Sequence, residues 1–146
     1  MSRVQLALNV SNIDEAVEFY RRLFGTEPAK RRPGYANFAI ADPPLKLVLL
    51  EGVGEPGSLN HLGVEVGSTG EVVTESARLQ REGFALRHEE GVTCCYAVQD
   101  KFWVSGVDNR EWEIYTVLAD APASVQTPAP QPAETAPACC GPDTSA

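Results

Sequence analysis

The chain has 146 residues and a formal net charge of −8, with 20 acidic and 12 basic residues. This length predicts one domain, and the lack of a basic stripe argues against nucleic acid or an anionic membrane surface as a partner. The longest apolar run, residues 45–50, contains Lys46 and is too short to span a bilayer. The N-terminus carries no apolar export segment, so we expect a cytoplasmic protein.

An internal repeat organises residues 1–118. Residues 4–10 align with residues 60–66, and both segments alternate as half-buried strands do. Each is followed by an N-cap signal and an apolar helical stripe, and Gly25 and Gly83 mark the ends of the two helices. The N-cap signals are Asn12 with Glu15 and Ser68 with Glu71.

Three strand-like segments follow each predicted helix, and turn residues separate them. They are about 27–31, 34–40 and 44–51 in the first copy, and about 85–90, 95–104 and 110–117 in the second. The order is therefore βαβββ twice, in modules of about 2–54 and 58–118. We predict an α+β domain over residues 1–118, whose two βαβββ modules form an open, barrel-like cleft.

Residues 119–146 differ in composition from the rest of the chain. They are rich in Pro, Ala, Thr and Ser, and such a segment cannot bury enough apolar surface to offset the entropy lost on ordering. We therefore predict a disordered tail, which carries the pair Cys139–Cys140.

Three polar residues occupy positions that the repeat would bring together. Gln5 and His61 hold the same place in the first strand of each module, so a pseudo-two-fold axis would face them across the cleft. Glu113 lies in the last strand, and its counterpart in the first module is Leu47 in the aligned register. Three such ligands leave positions open for water, substrate or dioxygen, as in facial-triad iron(II) sites. Taken singly each residue has an ordinary structural explanation, but their equivalent positions favour one divalent metal centre.

Two pairs of adjacent cysteines occur, Cys94–Cys95 and Cys139–Cys140. Adjacent cysteines make poor structural disulfides, so in a cytosolic chain we expect them to bind a thiophilic ligand. The alternative for Cys94–Cys95 is that the two residues are small buried hydrophobes. Successive strand residues point to opposite faces. We therefore place the first pair on a flexible loop with residues 91–93, which we expect to close over the metal.

Residues 1–118 resemble the ArsI/CadI family of heavy-metal resistance metalloenzymes, in the vicinal oxygen chelate superfamily. The resemblance is carried by SRVQLALNV, LNHLGVEV, QDKFWV, EWEIYTVLAD and the Cys94-Cys95-Tyr96 step. It implies an Fe(II)-dependent, dioxygen-using C–As lyase that converts methylarsenite or trivalent aromatic arsenicals to arsenite. It also implies Gln5, His61 and Glu113 as metal ligands and Cys94 and Cys95 as arsenic-binding thiols. The family name covers proteins described only as cadmium-induced as well.

Other functions fit parts of the sequence. A sequestration protein for cadmium or arsenite would need the thiols alone, and a ring-cleaving dioxygenase would have no use for them. Gln5, His61, Glu113 and the first-module counterpart of Glu113 would form the four corners of the site. A thiol transferase or glyoxalase-like isomerase usually has a carboxylate or histidine at this fourth corner, where this chain has Leu47. The role of Cys139–Cys140 and a possible homodimer stay open. Candidates for lining the cleft, equally explained as sheet residues, are Tyr35, Asn37, Tyr96, Gln99, Lys101 and Trp103.

Overall fold

A computed structural model describes residues 2–94 and 97–120, with the backbone alone at residues 92–94 and 120. Eight strands form one open sheet in the order β2-β3-β4-β1-β5-β8-β7-β6, which confirms the α+β fold. Cys95, Tyr96 and residues 121–146, which include Cys139 and Cys140, lie outside the described residues. The first two residues of the predicted tail, 119 and 120, belong instead to the last strand. The elements are β1 (Arg3–Val10), α1 (Ile13–Phe24), β2 (Lys30–Arg32), β3 (Tyr35–Ile40), β4 (Leu45–Glu51), β5 (Leu59–Glu65), α2 (Thr69–Arg81), β6 (Leu86–Cys94), β7 (Ala97–Ser105), a 3-10 turn (Val107–Asn109) and β8 (Glu111–Asp120).

Both helices begin and pack as the sequence predicts. The Asn12 side chain accepts a hydrogen bond from the Glu15 amide at 3.0 Å, and Gly25 ends α1 at φ 64°, a left-handed conformation that favours glycine. The buried face of α1 packs on β3 and β4, and that of α2 packs on β7 and β8. Neither α1 nor α2, the helices of the described ranges, is long and apolar enough to cross a membrane.

The two modules meet at the antiparallel pair β1–β5, within one chain. Ala7 lies opposite His61, just as Gln5 lies opposite Gly63, so the pairing has the two-fold symmetry that the repeat predicts. Ala7 also pairs with Val48 in the parallel strand β4, and Gly63 pairs with Glu113 in the parallel strand β8.

This register corrects one prediction. The symmetry makes Val48 the counterpart of Glu113, so the alignment with Leu47 is wrong by one residue. Leu47 is buried in the cluster packed against α1, whereas Val48 lines the cleft. A one-residue slip moves a strand residue to the opposite face of the sheet, and the segment 45–50 offers a single polar residue, Lys46, to fix its register. The fourth corner is still apolar.

The predicted loop at residues 91–93 is also wrong, because β6 continues through it to Cys94. Glu89 pairs with Lys101 and Val92 pairs with Gln99, so two residues, Glu90 and Gly91, stand opposite the single Asp100. This is a β-bulge, and Gly91 adopts φ 57° in it.

Asp100 stabilises the bulge through hydrogen bonds. Its carboxylate accepts hydrogen bonds from the Gly91 amide at 2.7 Å and from the Thr69 hydroxyl at 2.9 Å. The extra residue has a consequence for the end of β6. In a regular strand Glu89 and Cys94, five residues apart, would lie on opposite faces. Because of the bulge they pair with Lys101 and Ala97, which are four residues apart in β7 and share a face.

Candidate metal centre

Gln5, His61 and Glu113 converge from three central strands, β1, β5 and β8. Their side chains are buried, with exposed fractions of 5%, 2% and 3%. The amide Nε2 of Gln5 lies 3.1 Å from His61 Nε2 and 3.0 Å from Glu113 Oε2. The third side of this triangle, from His61 Nε2 to Glu113 Oε2, measures 3.1 Å.

With the Gln5 amide turned so that its oxygen takes the place of Nε2, this triangle would fit a metal ion with three adjacent ligands. Donor atoms about 2.1 Å from an ion at right angles lie about 3.0 Å apart, whereas tetrahedral angles would place them about 3.4 Å apart. The spacing therefore suits one face of an octahedron, with the remaining positions open. Among the described residues no three His, Cys, Asp or Glu side chains could together hold a metal ion, so a metal at this position would need the amide of Gln5 as its third ligand.

Tyr115 holds the Gln5 amide from the other side. Its hydroxyl donates a hydrogen bond to Gln5 Oε1. Burial raises the pKa of Tyr115 well above its ordinary value, and the negative charges of Glu65 and Glu113 add to the effect, so the side chain is a neutral phenol. A phenol hydroxyl can donate or accept. It can therefore satisfy the Gln5 amide in either orientation, including the one that presents the carbonyl oxygen to a metal.

Lys101 binds one of the two oxygens of Glu113 and leaves the other to the triangle. Its ammonium group donates to Glu113 Oε1 at 2.9 Å, and the lysine is almost fully buried, with an exposed fraction of 1%. Burial by itself would raise the pKa of Glu113, but the adjacent His61 ring and the charge of Lys101 outweigh it and lower the pKa. Glu113 is therefore a carboxylate, and its Oε2 is the oxygen within the triangle.

Trp103 and Glu89 surround this ion pair. The Trp103 ring meets the His61 ring edge-on at 5.3 Å between centroids, and the Lys101 ammonium lies 5.4 Å from the Trp103 centroid. Glu89 Oε2 lies 3.9 Å from the ammonium and accepts a hydrogen bond from the indole at 3.3 Å. The aromatic wall excludes water on this side, which strengthens the electrostatic interactions inside.

A small cavity of about 100 Å³ opens on the triangle. Val48 and Ala97 line it beside the three converging residues, as do Tyr35, Asn37 and Gln99, as predicted. Lys101 and Trp103 act from behind the triangle instead. Sequence reasoning overlooked Tyr115, although the alternation of β8 puts it on the same face as Glu113.

The thiols of the first cysteine pair cannot be placed from the described residues. The backbone of Cys94 ends β6 and pairs with Ala97, which lines the cavity. Cys95 lies outside the described ranges.

Comparisons with known proteins agree with this fold. The sequence model described as Glyoxalase/Bleomycin resistance protein/Dioxygenase superfamily matches residues 3–131. The chain is 64% identical over 121 residues to the cadmium-induced protein CadI of Mycobacterium tuberculosis, covering 83% of this chain and 80% of CadI. It is 57% identical over 122 residues to a trivalent organoarsenical cleaving enzyme of Thermomonospora curvata, covering 83% of this chain and 81% of that enzyme.

A solved structure shares the fold at low identity. The 2,3-dioxygenase LapB from Pseudomonas sp. KL28 matches with a TM-score of 0.62 at 19% identity, covering 90% of this chain and 47% of LapB. At this identity the match supports the fold alone. The sequence model and the two relatives show that the chain belongs to the glyoxalase, bleomycin resistance protein and dioxygenase superfamily, in the family of CadI and the trivalent organoarsenical cleaving enzymes.

Proposed function

We propose that the protein is a metal-dependent enzyme that cleaves the carbon–arsenic bond of trivalent organoarsenicals, such as methylarsenite or aromatic arsenicals, and releases arsenite. Gln5, His61 and Glu113 would hold Fe(II), and dioxygen would be the co-substrate. The observation that carries the proposal is the buried triangle formed by the ends of the Gln5, His61 and Glu113 side chains, whose atoms lie 3.0–3.1 Å apart at the cavity floor. The relative that is named for organoarsenical cleavage supports the substrate class.

Each residue of the site has a distinct part in this proposal. Bound Fe(II) would supply a redox-active centre with open positions for dioxygen. His61 and Glu113 contribute a nitrogen and a charged oxygen, and Lys101 keeps Glu113 Oε1 occupied so that Oε2 faces the ion. Val48 leaves the fourth corner without a ligand. This vacancy sets the site apart from those superfamily sites in which a carboxylate or histidine fills that corner.

We also propose that Cys94 and Cys95 bind the arsenic atom. Arsenic(III) is soft and exchanges hydroxyl groups for thiolates, so two thiols can replace both oxygens of methylarsenite and leave the methyl group as the remaining substituent. The pairing of Cys94 with the cavity residue Ala97 supports this assignment. Holding arsenic there would direct the carbon–arsenic bond at the metal, which is catalysis by positioning. A cytoplasmic location, where thiols stay reduced, would suit this role.

The test is anaerobic reconstitution with Fe(II), followed by methylarsenite and air, with release of arsenite as the measurement. Arsenite should appear with Fe(II) and fail to appear without it, in Glu113→Gln, and in Cys94→Ser. Glu111→Gln, a change of the same kind two residues away in β8, serves as the matched control and should stay active. No arsenite from the intact iron-loaded protein would defeat the proposal.

Sequestration without turnover is the second candidate, because relatives at 64% identity are named cadmium-induced protein. That function needs thiols and no triad. The two candidates separate in Glu113→Gln, which should lose turnover and keep thiol-dependent cadmium binding. If the wild-type protein binds cadmium through its thiols and never releases arsenite, sequestration is the function.

A further inference from the structure

A chain of side-chain hydrogen bonds runs from the loop between the two modules to the back of His61. Ser58 Oγ donates to the Glu55 carbonyl at 2.6 Å, and Asn9 Nδ2 donates to Ser58 Oγ at 2.9 Å. Asn60 Nδ2 then donates to Asn9 Oδ1 at 2.9 Å. The last link joins His61 Nδ1 and Asn60 Oδ1 at 2.7 Å.

The direction of this chain follows from its far end. A backbone carbonyl can only accept, so the Ser58 hydroxyl must donate its one proton to the Glu55 carbonyl and accept a hydrogen bond from Asn9. The Asn9 amide is thereby oriented with its oxygen towards Asn60, and Asn60 is oriented with its oxygen towards His61. An oxygen of that kind can only accept, so the proton between Asn60 and His61 belongs to Nδ1 of the ring.

The consequence for His61 lies on the other side of its ring. With the proton on Nδ1, the neutral ring carries a lone pair on Nε2, the atom that faces the triangle. Free histidine in water prefers the opposite tautomer, so the protein has to impose this one. In this neutral form the Nε2 lone pair lies 3.1 Å from Glu113 Oε2, so the two atoms together offer a cation a nitrogen and a carboxylate oxygen.

Packing holds the chain of hydrogen bonds in place. Asn9 and Asn60 each have an exposed fraction of 4%, so water cannot easily replace a lost partner. The Asn9 backbone is bonded to the same loop, from its amide to the Ser58 carbonyl at 2.9 Å and from the Gly57 amide to its own carbonyl at 2.8 Å. A Cβ atom on Gly54 would lie 2.6 Å from Asn9 Nδ2, so the loop can approach the amide only because residue 54 is glycine.

We infer that Asn9 is a positioning residue for the metal centre: through Asn60 it fixes the tautomer of His61 and so presents an unprotonated Nε2 to the metal. Asn9 itself touches neither the ring nor the triangle. The use of that Nε2 by a metal rests on the proposed function, whereas the tautomer belongs to the metal-free protein and can be measured there.

The test reads the tautomer directly, by long-range ¹H–¹⁵N NMR of the metal-free protein. The chain has two histidines, so His88 provides an internal control. The neutral form of His61 in the wild-type protein should carry its proton on Nδ1 and none on Nε2. Asn9→Leu removes the acceptor for Asn60 and should admit the other tautomer, and Asn9→Asp keeps an acceptor and should restore the wild-type pattern.

A second readout is the affinity for Mn(II), measured by equilibrium dialysis without arsenical or dioxygen. Asn9→Leu should weaken binding about tenfold, as loss of an outer-shell partner does, and Asn9→Asp should not. If Asn9→Leu fails to fold, Ser58→Ala decides the matter, because it releases the direction of the chain and leaves Asn9 in place. If Asn9→Leu shows the wild-type tautomer and an unchanged Mn(II) affinity, the inference is overturned. The same result in Ser58→Ala overturns it if Asn9→Leu does not fold. Absence of arsenite release would leave both readouts unaffected.

Discussion

Removal of the Lys101 ammonium should destabilise the metal-free protein much more than the metal-loaded one. In Lys101→Met the aliphatic part of the side chain remains, and the hydrogen bond of 2.9 Å to Glu113 is lost. The Glu113 carboxylate then stays buried without its cation. Removal of one partner of a buried ion pair costs about 3–5 kcal/mol, which for a domain of this size corresponds to a fall in melting temperature on the order of 10 °C.

A bound divalent ion would supply the missing positive charge. We therefore expect saturating Mn(II) to recover at least half of the lost stability, so that the variant gains more from metal than the wild-type protein does. The assay is urea or thermal unfolding of both proteins, with a chelator and with Mn(II). Lys30→Met is the matched control, since Lys30 lines the same cavity but is only half-buried, and we expect it to cost below about 1 kcal/mol.

Two results would refute this reasoning. The first is a loss of the same size with and without metal, which would mean that the ion does not sit beside Glu113. The second is a loss no larger than that of Lys30→Met, which would mean that the ion pair contributes little to the folded state.

Three further changes probe other parts of the site. Tyr115→Phe removes the hydroxyl that holds the Gln5 amide and should weaken Mn(II) binding about tenfold, and an unchanged affinity would contradict the assignment. Val48→Glu places a carboxylate at the fourth corner and should retain Mn(II) but lose arsenite release, so full activity would count against an open position there. Asp100→Ala should speed hydrogen exchange at the Gly91 amide and leave Mn(II) affinity unchanged, and normal exchange would show that the bulge does not depend on Asp100.

The fold could be predicted from the sequence because the internal repeat limits how the two modules can pair. Gln5 and His61 are equivalent by alignment, and β1 and β5 pair about the axis that this equivalence requires. Glu113 follows because the alternation of β8 distinguishes its two faces. The convergence of these three side chains could therefore be predicted, and their role as metal ligands stays a prediction.

The register of apolar strands could not be predicted in the same way. Residues 45–50 are all buried or half-buried, and Leu47 was taken in place of Val48, although the one polar residue of the segment, Lys46, lines the cavity on the same face as Val48. The bulge in β6 was hidden for a related reason. Gly91 signals an irregular backbone, but a loop and a bulge give the same signal until the pairing with Asp100 is known.

The supporting hydrogen bonds could not be predicted at all from the chain order. Lys101 and Glu113 lie on adjacent antiparallel strands, but their contact depends on a register set by pairing. The link from Asn60 to Asn9 spans two modules. Buried polar side chains of this kind reveal their partners only once the backbone has brought them together.

The most direct test of the account is the metal stoichiometry of the intact protein and its triad variants. Equilibrium dialysis with Mn(II) should give one ion per chain for the wild-type protein and for Glu111→Gln. Each of Gln5→Leu, His61→Leu and Glu113→Gln should lose that ion and keep a folded circular dichroism spectrum. One tightly bound ion that survives all three changes would contradict the claim that these side chains form the metal centre.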